Sequence, residues 1–146
     1  MIRSIVLAAL LLGACHPSKG PTTQAAVPGG ESRTAWSGVG PADVLHFTGT
    51  EPFWGGEASG SSLTWKTPED QAGATIAVTR FAGRNGLGLS GTLGGAPFDM
   101  AVSAARCSDG MSGRKYPFTV TVRRGRDTLR GCGWTAAHPV TGADHP

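Results

Sequence analysis

Cysteine is the residue type whose placement commits this chain to chemistry, and Cys15, Cys107 and Cys132 are its three examples. Cys15 ends the run Leu11-Leu12-Gly13-Ala14-Cys15. That run is a lipobox: a leucine three places before an obligate cysteine, with small residues between that let the backbone enter a peptidase site. It follows a basic start at Arg3 and an apolar stretch from Ile5 to Leu12, the order of an export signal. The apolar stretch is too short to cross a bilayer, which takes about 20 residues. The pattern predicts removal of residues 1–14, a diacylglycerol on the Cys15 thiol, and attachment to a membrane. Each buried acyl methylene contributes roughly 0.8 kcal/mol to that anchor. His16 follows the cysteine where an aspartate would favour inner-membrane retention, so the expected address is the outer membrane, facing the periplasm.

Export places the other two cysteines in an oxidising compartment, where an even pair reads as a disulfide. Joining Cys107 to Cys132 closes a loop of roughly 25 residues and stabilises the fold by about 3 kcal/mol through the unfolded chain. The sequence has no C-x-x-C for redox exchange and no spaced histidines for zinc, so neither a metal nor a cofactor is expected.

Two further clusters carry polar and aromatic groups at close spacing. In Gly49-Thr50-Glu51-Pro52-Phe53-Trp54-Gly55 a turn precedes two adjacent aromatics. Consecutive strand residues point to opposite faces, so one of Phe53 and Trp54 belongs to the core and the other to the surface. The second cluster runs from Cys107 to Phe118, as Cys-Ser-Asp-Gly-Met-Ser-Gly-Arg-Lys-Tyr-Pro-Phe. Ser108 and Asp109 can cap their own turn, glycines allow positive φ, and the disulfide fixes one end. A loop so stiffened loses little entropy on binding. Candidate binding residues are therefore Glu51, Trp54, Ser108, Asp109, Ser112, Arg114, Lys115 and Tyr116. The plainer alternative is that Asp109 pairs with Arg114 and merely holds the connection.

The elements that must position these groups are strands. Large apolar residues recur with period two at Leu45/Phe47, Leu63/Trp65, Ile76/Val78, Leu87/Leu89, Phe98/Met100/Val102 and Phe118/Val120/Val122. Short turn-forming stretches separate them, which joins neighbours in an antiparallel meander. The spacing predicts about eight strands, near 43–48, 53–58, 62–66, 75–81, 87–92, 97–104, 117–123 and 127–133. The expected fold is all-β: a closed or nearly closed barrel over residues 41–134, stapled by one disulfide, with a sandwich as the other arrangement. Residues 15–40, rich in Pro, Gly, Ser, Thr and Ala, read as the lipidated cysteine and a flexible tether, and 135–146 as a disordered tail.

The pairing of G-T-E-P-F-W early in the domain with C-S-D-G-M-S-x-R-x-Y-P-F late in it, and Gly131-Cys132 near its end, resembles a family of Gram-negative lipoproteins of unestablished activity. The likeness spans residues 46–133, with Gly113 standing where that family has aspartate. It implies the envelope address and the fold, and no reaction. A fainter similarity is to small β-barrel lipoproteins that inhibit c-type lysozymes, which would give Lys115 or Arg114, with Ser112, a role in an enzyme cleft. Net charge argues against it. The chain carries +3, and losing Arg3 with the signal lowers this to +2, so a basic enzyme gains no steering. A charge this mild also implies no nucleic acid. Partners expected are the membrane, through the lipid, and an envelope protein or secreted enzyme. Catalysis is not expected: His46 sits at a strand position, no serine lies in a nucleophile elbow, and the acids show no paired spacing. Arg123, Arg124, Arg126 and Arg130 form a basic group around one hairpin, where charge is usually only solvated.

Overall fold

A computed structural model describes residues 34–144. The expected signal peptide, Cys15 and most of the expected tether lie outside the described residues. Eight strands follow in order: β1 (Leu45–Thr50), β2 (Phe53–Ser59), β3 (Ser62–Lys66), β4 (Ala74–Ala82), β5 (Gly86–Leu93), β6 (Ala96–Ser103), β7 (Phe118–Arg124) and β8 (Asp127–Trp134). Each pairs antiparallel with its neighbour and β8 returns to β1, closing the barrel. All eight fall within two residues of the expected bounds, because the side-chain period of a one-sided strand is written directly into the sequence.

The inward faces form one continuous core. Leu45, Phe47, Leu63, Ile76, Leu89, Met100, Val102, Val120 and Val122 are fully buried, so side chains rather than a lumen fill the interior, as an eight-stranded barrel requires. The half nearest the β1–β2 turn is aromatic. Trp54 stacks on Trp65 with centroids 5.0 Å apart and planes 14° apart, and Phe98 meets the edge of Trp65 at 5.5 Å. Gly94 and Gly95, both with positive φ, make the tight β5–β6 turn that few other residues would permit.

The two ends differ. At the end where β1 begins, residues 34–40 cross the opening and seal it. Val39 is buried, Trp36 packs edge-on against Phe118 at 5.6 Å, and its backbone N–H donates to Gly83 O at 2.7 Å. The guanidinium of Arg80 donates to Gly40 O at 2.9 Å and to Val39 O. This corrects the expected boundary: the last part of the presumed tether belongs to the domain, since Trp36 and Val39 supply the apolar surface that composition alone undervalued. The opposite end carries the β1–β2 turn, the β3–β4 connection and the β7–β8 hairpin. There the β1–β8 ladder stops at Thr48↔Cys132, leaving Gly49, Thr50 and the first half of β8 outside the β1–β8 register.

Residues 135–144 likewise depart from the disordered tail that was expected. Lys115 and Thr141 exchange two backbone hydrogen bonds, of 2.7 and 3.0 Å, and Arg114 pairs with Asp144 at 2.8 Å. The tail is held by a pairing with a loop far away in sequence, which local composition does not reveal.

Candidate functional site

The loop between β6 and β7 folds back over the outer wall of β7, β8 and β1. Cys107 bonds to Cys132 across 25 residues of sequence, and Cys107 and Tyr116 form a two-residue bridge closing the loop's base. Thr50 Oγ1 donates to Asp109 O at 3.3 Å, which ties the loop to the β1–β2 turn beside Glu51. Strand alternation makes Cys132 an outward residue of β8. It is nonetheless buried, because the loop lies on it.

Asp109 is the centre of this loop. Its Oδ1 accepts from the backbone N–H of Met111 at 3.0 Å and Ser112 at 2.9 Å; its Oδ2 accepts from Ser112 Oγ at 2.7 Å and Tyr116 OH at 3.1 Å. The Met111 and Ser112 bonds, with a smaller part from Tyr116, hold the carboxyl well below the usual carboxylate range. Burial first, then the Asp109 contact, raises the Tyr116 phenol. The expected Asp109–Arg114 pair is thus corrected. Asp109 does hold the connection, but through Ser112 and Tyr116, while Arg114 turns to Asp144, whose contact raises its already high pKa. Ser108 Oγ accepts from Gly110 N at 3.3 Å, and Ser112 Oγ accepts from Arg114 N at 3.1 Å. The Tyr116 ring is buried against Trp134 at 5.6 Å.

Ser108, Asp109, Ser112, Arg114, Lys115 and Tyr116 are therefore together, with Glu51 exposed on the neighbouring turn. Most of their polar atoms already serve the loop. Lys115 and Glu51 are the exposed charges of the group.

Trp54 lies on the other side of the wall, in the core at 4 % exposure, while Phe53 is 54 % exposed. Two glycines make its place: a Cβ on Gly49 would come within 2.2 Å of the indole, and one on Gly131 within 2.8 Å. Outside the same strip, Cys107 Sγ lies 3.3 Å from Gly131 O. The wall between loop and indole is one backbone thick.

Trp54 and Trp65, also 4 % exposed, floor a hollow of about 460 Å³ at the open end of the barrel. Its walls are Pro52 and Phe53 of the β1–β2 turn, Thr67 to Glu69 after β3, and Arg124 and Leu129 of the β7–β8 hairpin. A second hollow of about 270 Å³ adjoins it on the β2–β3 side, sharing Phe53, Trp54, Thr67 and Pro68 and adding Lys66 and Gln71. The larger hollow is a trough with the smaller one beside it. The indole Nε1 of Trp54 and that of Trp65 are both buried without a hydrogen-bond partner, an arrangement that costs about 1–3 kcal/mol per group and that buried tryptophans normally avoid.

The sequence singled out Trp54 from this trough and missed Trp65, Thr67, Glu69, Arg124 and Leu129. Trp65 reads as an ordinary core position, and only barrel closure brings β8 to β2. His46, weighed as a catalytic base, points outward near the sealed end; it stacks on Trp134 at 5.4 Å and lies 3.8 Å from Glu57. Among the described residues no group of His, Cys, Asp and Glu is placed to hold a metal ion. Comparison of the chain with known protein families, with curated proteins and with solved structures finds no match.

Proposed function

We propose that this chain is a non-catalytic lipoprotein of the cell envelope, anchored through Cys15, whose barrel binds a ligand at its open end. The lipobox supports the anchor, and the observation that carries the binding reading is the trough floored by two buried indoles whose N–H groups lack partners. Ligand sites are concave, mostly apolar, and furnished with a few polar groups that fix orientation. This hollow has that character, whereas the loop over the outer wall spends Asp109, Ser112 and Arg114 on its own structure. A secreted-enzyme inhibitor acting through Lys115 or Arg114 with Ser112 would first have to free Ser112, and Arg114 if it served, from those contacts, and so receives less support. A non-catalytic role is favoured because His46 lies at the opposite end of β1 from the trough.

The test uses ¹⁵N-labelled protein mixed with the low-molecular-weight fraction of an envelope extract. Shifts at Trp54, Trp65 and Leu129, abolished by Leu129→Trp, are expected. Shifts confined to residues 107–116, or seen only with the protein fraction, would make the outer-wall loop the binding surface instead.

A further inference from the structure

Resting on the open-end reading, we infer that the trough takes a neutral saccharide chain bearing N-acetyl groups. Three observations converge on that chemistry.

The first is the floor and walls. Trp54, Trp65, Phe53, Leu129 and two prolines present apolar and aromatic surface, and the negative face of an aromatic ring attracts the weakly positive C–H groups on one side of a sugar ring. Phe53, more than half exposed at the junction of the two hollows, is the natural stacking platform.

The second is charge. The main hollow holds one cation, Arg124, and one anion, Glu69, and Arg124 already has Asp127 at 3.8 Å. A charged ligand of either sign would meet one like and one opposite charge there, so neither sign gains a net attraction from this pair. A neutral ligand with hydroxyls uses both, since a hydroxyl donates to Glu69 and accepts from Arg124. Thr67 adds a hydroxyl to this hollow, while the adjoining one adds the exposed ammonium of Lys66 and the amide of Gln71, which already donates to Thr67 O and Pro68 O.

The third is the pair of orphaned donors. An indole N–H can only donate, so the ligand must bring an acceptor, and an acetamido carbonyl supplies a stronger one than a hydroxyl does. Both N–H groups are closed off as the rings stand. The carbonyl therefore reaches one when the indole tilts toward the opening, and its methyl group takes the place the ring vacates. The neighbouring hollow gives a second ring of the chain a place beside the first.

The experiment titrates the full ¹⁵N-labelled chain, held in sugar-free zwitterionic micelles, with N,N′,N″-triacetylchitotriose, with maltotriose and with octanoate. The expected result is saturable movement of the indole N–H signals of Trp54 and Trp65 by triacetylchitotriose, at a Kd below roughly 1 mM, with Trp36 and Trp134 still. Maltotriose, which lacks the acetamido carbonyl, should bind at least about tenfold more weakly, a difference of ~1.4 kcal/mol. Phe53→Ala and Glu69→Gln, both at exposed positions, should each weaken binding while leaving Tm unchanged. Movement of the two indoles by octanoate alone would overturn the saccharide and leave the open-end site standing. Equal response to both sugars would overturn the acetamido assignment, and no response to any of the three would overturn the inference altogether. The extract experiment decides the open-end site independently of these probes.

Discussion

Asp109 and the glycine pair Gly49 and Gly131 show what single residues contribute. The Asp109 carboxylate replaces water with four donors from its own loop. Its folded pKa is depressed, so its contribution is complete above the ordinary carboxylate value of about 3.9 and is lost as pH falls below it. Between about pH 5 and about pH 2 the Tm of the parent chain should therefore fall more steeply than that of Asp109→Asn, which has no carboxylate to titrate. Parallel curves from calorimetry would show that the carboxylate adds nothing. At Gly49 the constraint is steric. Any Cβ overlaps the Trp54 indole, so Gly49→Ala must displace a ring stacked on Trp65. The expected cost is about 1–3 kcal/mol, the usual range for overpacking a core. Intrinsic fluorescence should shift to the red as the indole gains water, and an unshifted spectrum with native Tm would contradict the packing described.

At the scale of elements, three segments staple a small barrel whose strands supply the core. The Cys107–Cys132 bond fixes the outer-wall loop to β8. Cys132→Ser, paired with Cys107→Ser to avoid a stray thiol, should remove about 3 kcal/mol, read as a fall in Tm of more than about 10 °C for a domain of this size. An unchanged midpoint would mean that the loop's hydrogen bonds alone suffice. The segment 34–40 closes one end by burying Val39 and placing Trp36 against Phe118. Trp36→Ala should therefore destabilise by roughly 3 kcal/mol, within the range for deleting a large aromatic from a packed site, although composition assigns that residue to a tether. Cutting the tail after Thr135 should matter less to global Tm, and should instead speed amide exchange at Arg114 and Lys115, where Asp144 and Thr141 now hold the loop.

For the whole molecule, the two ends of the barrel differ in what they carry. The described chain enters at the sealed end, beside Gly83, while the trough lies at the opposite end of the barrel. Mass spectrometry of material from the native host should find a mature chain that begins at Cys15 and carries acyl chains. An unmodified start would remove the membrane from the proposed function while leaving the barrel untouched. Cys15→Ser should abolish both processing and membrane recovery in fractionation.

The sequence by itself determined the number and order of strands, the faces they bury and the pairing of Cys107 with Cys132. Alternation with period two and cysteine parity are local properties, legible without knowing what lies across the sheet. It also required that Phe53 and Trp54 face opposite sides of their strand. Which of the two went inside was decided by Gly49 and Gly131, the second brought to β1 only when β8 closes the barrel. Closure likewise set Arg124 and Leu129 across from Phe53, and Asp144, 30 residues on, drew Arg114 away and left Asp109 to its near neighbours Ser112 and Tyr116. Those choices depend on shape and on partners remote along the chain, so no window of sequence contains them.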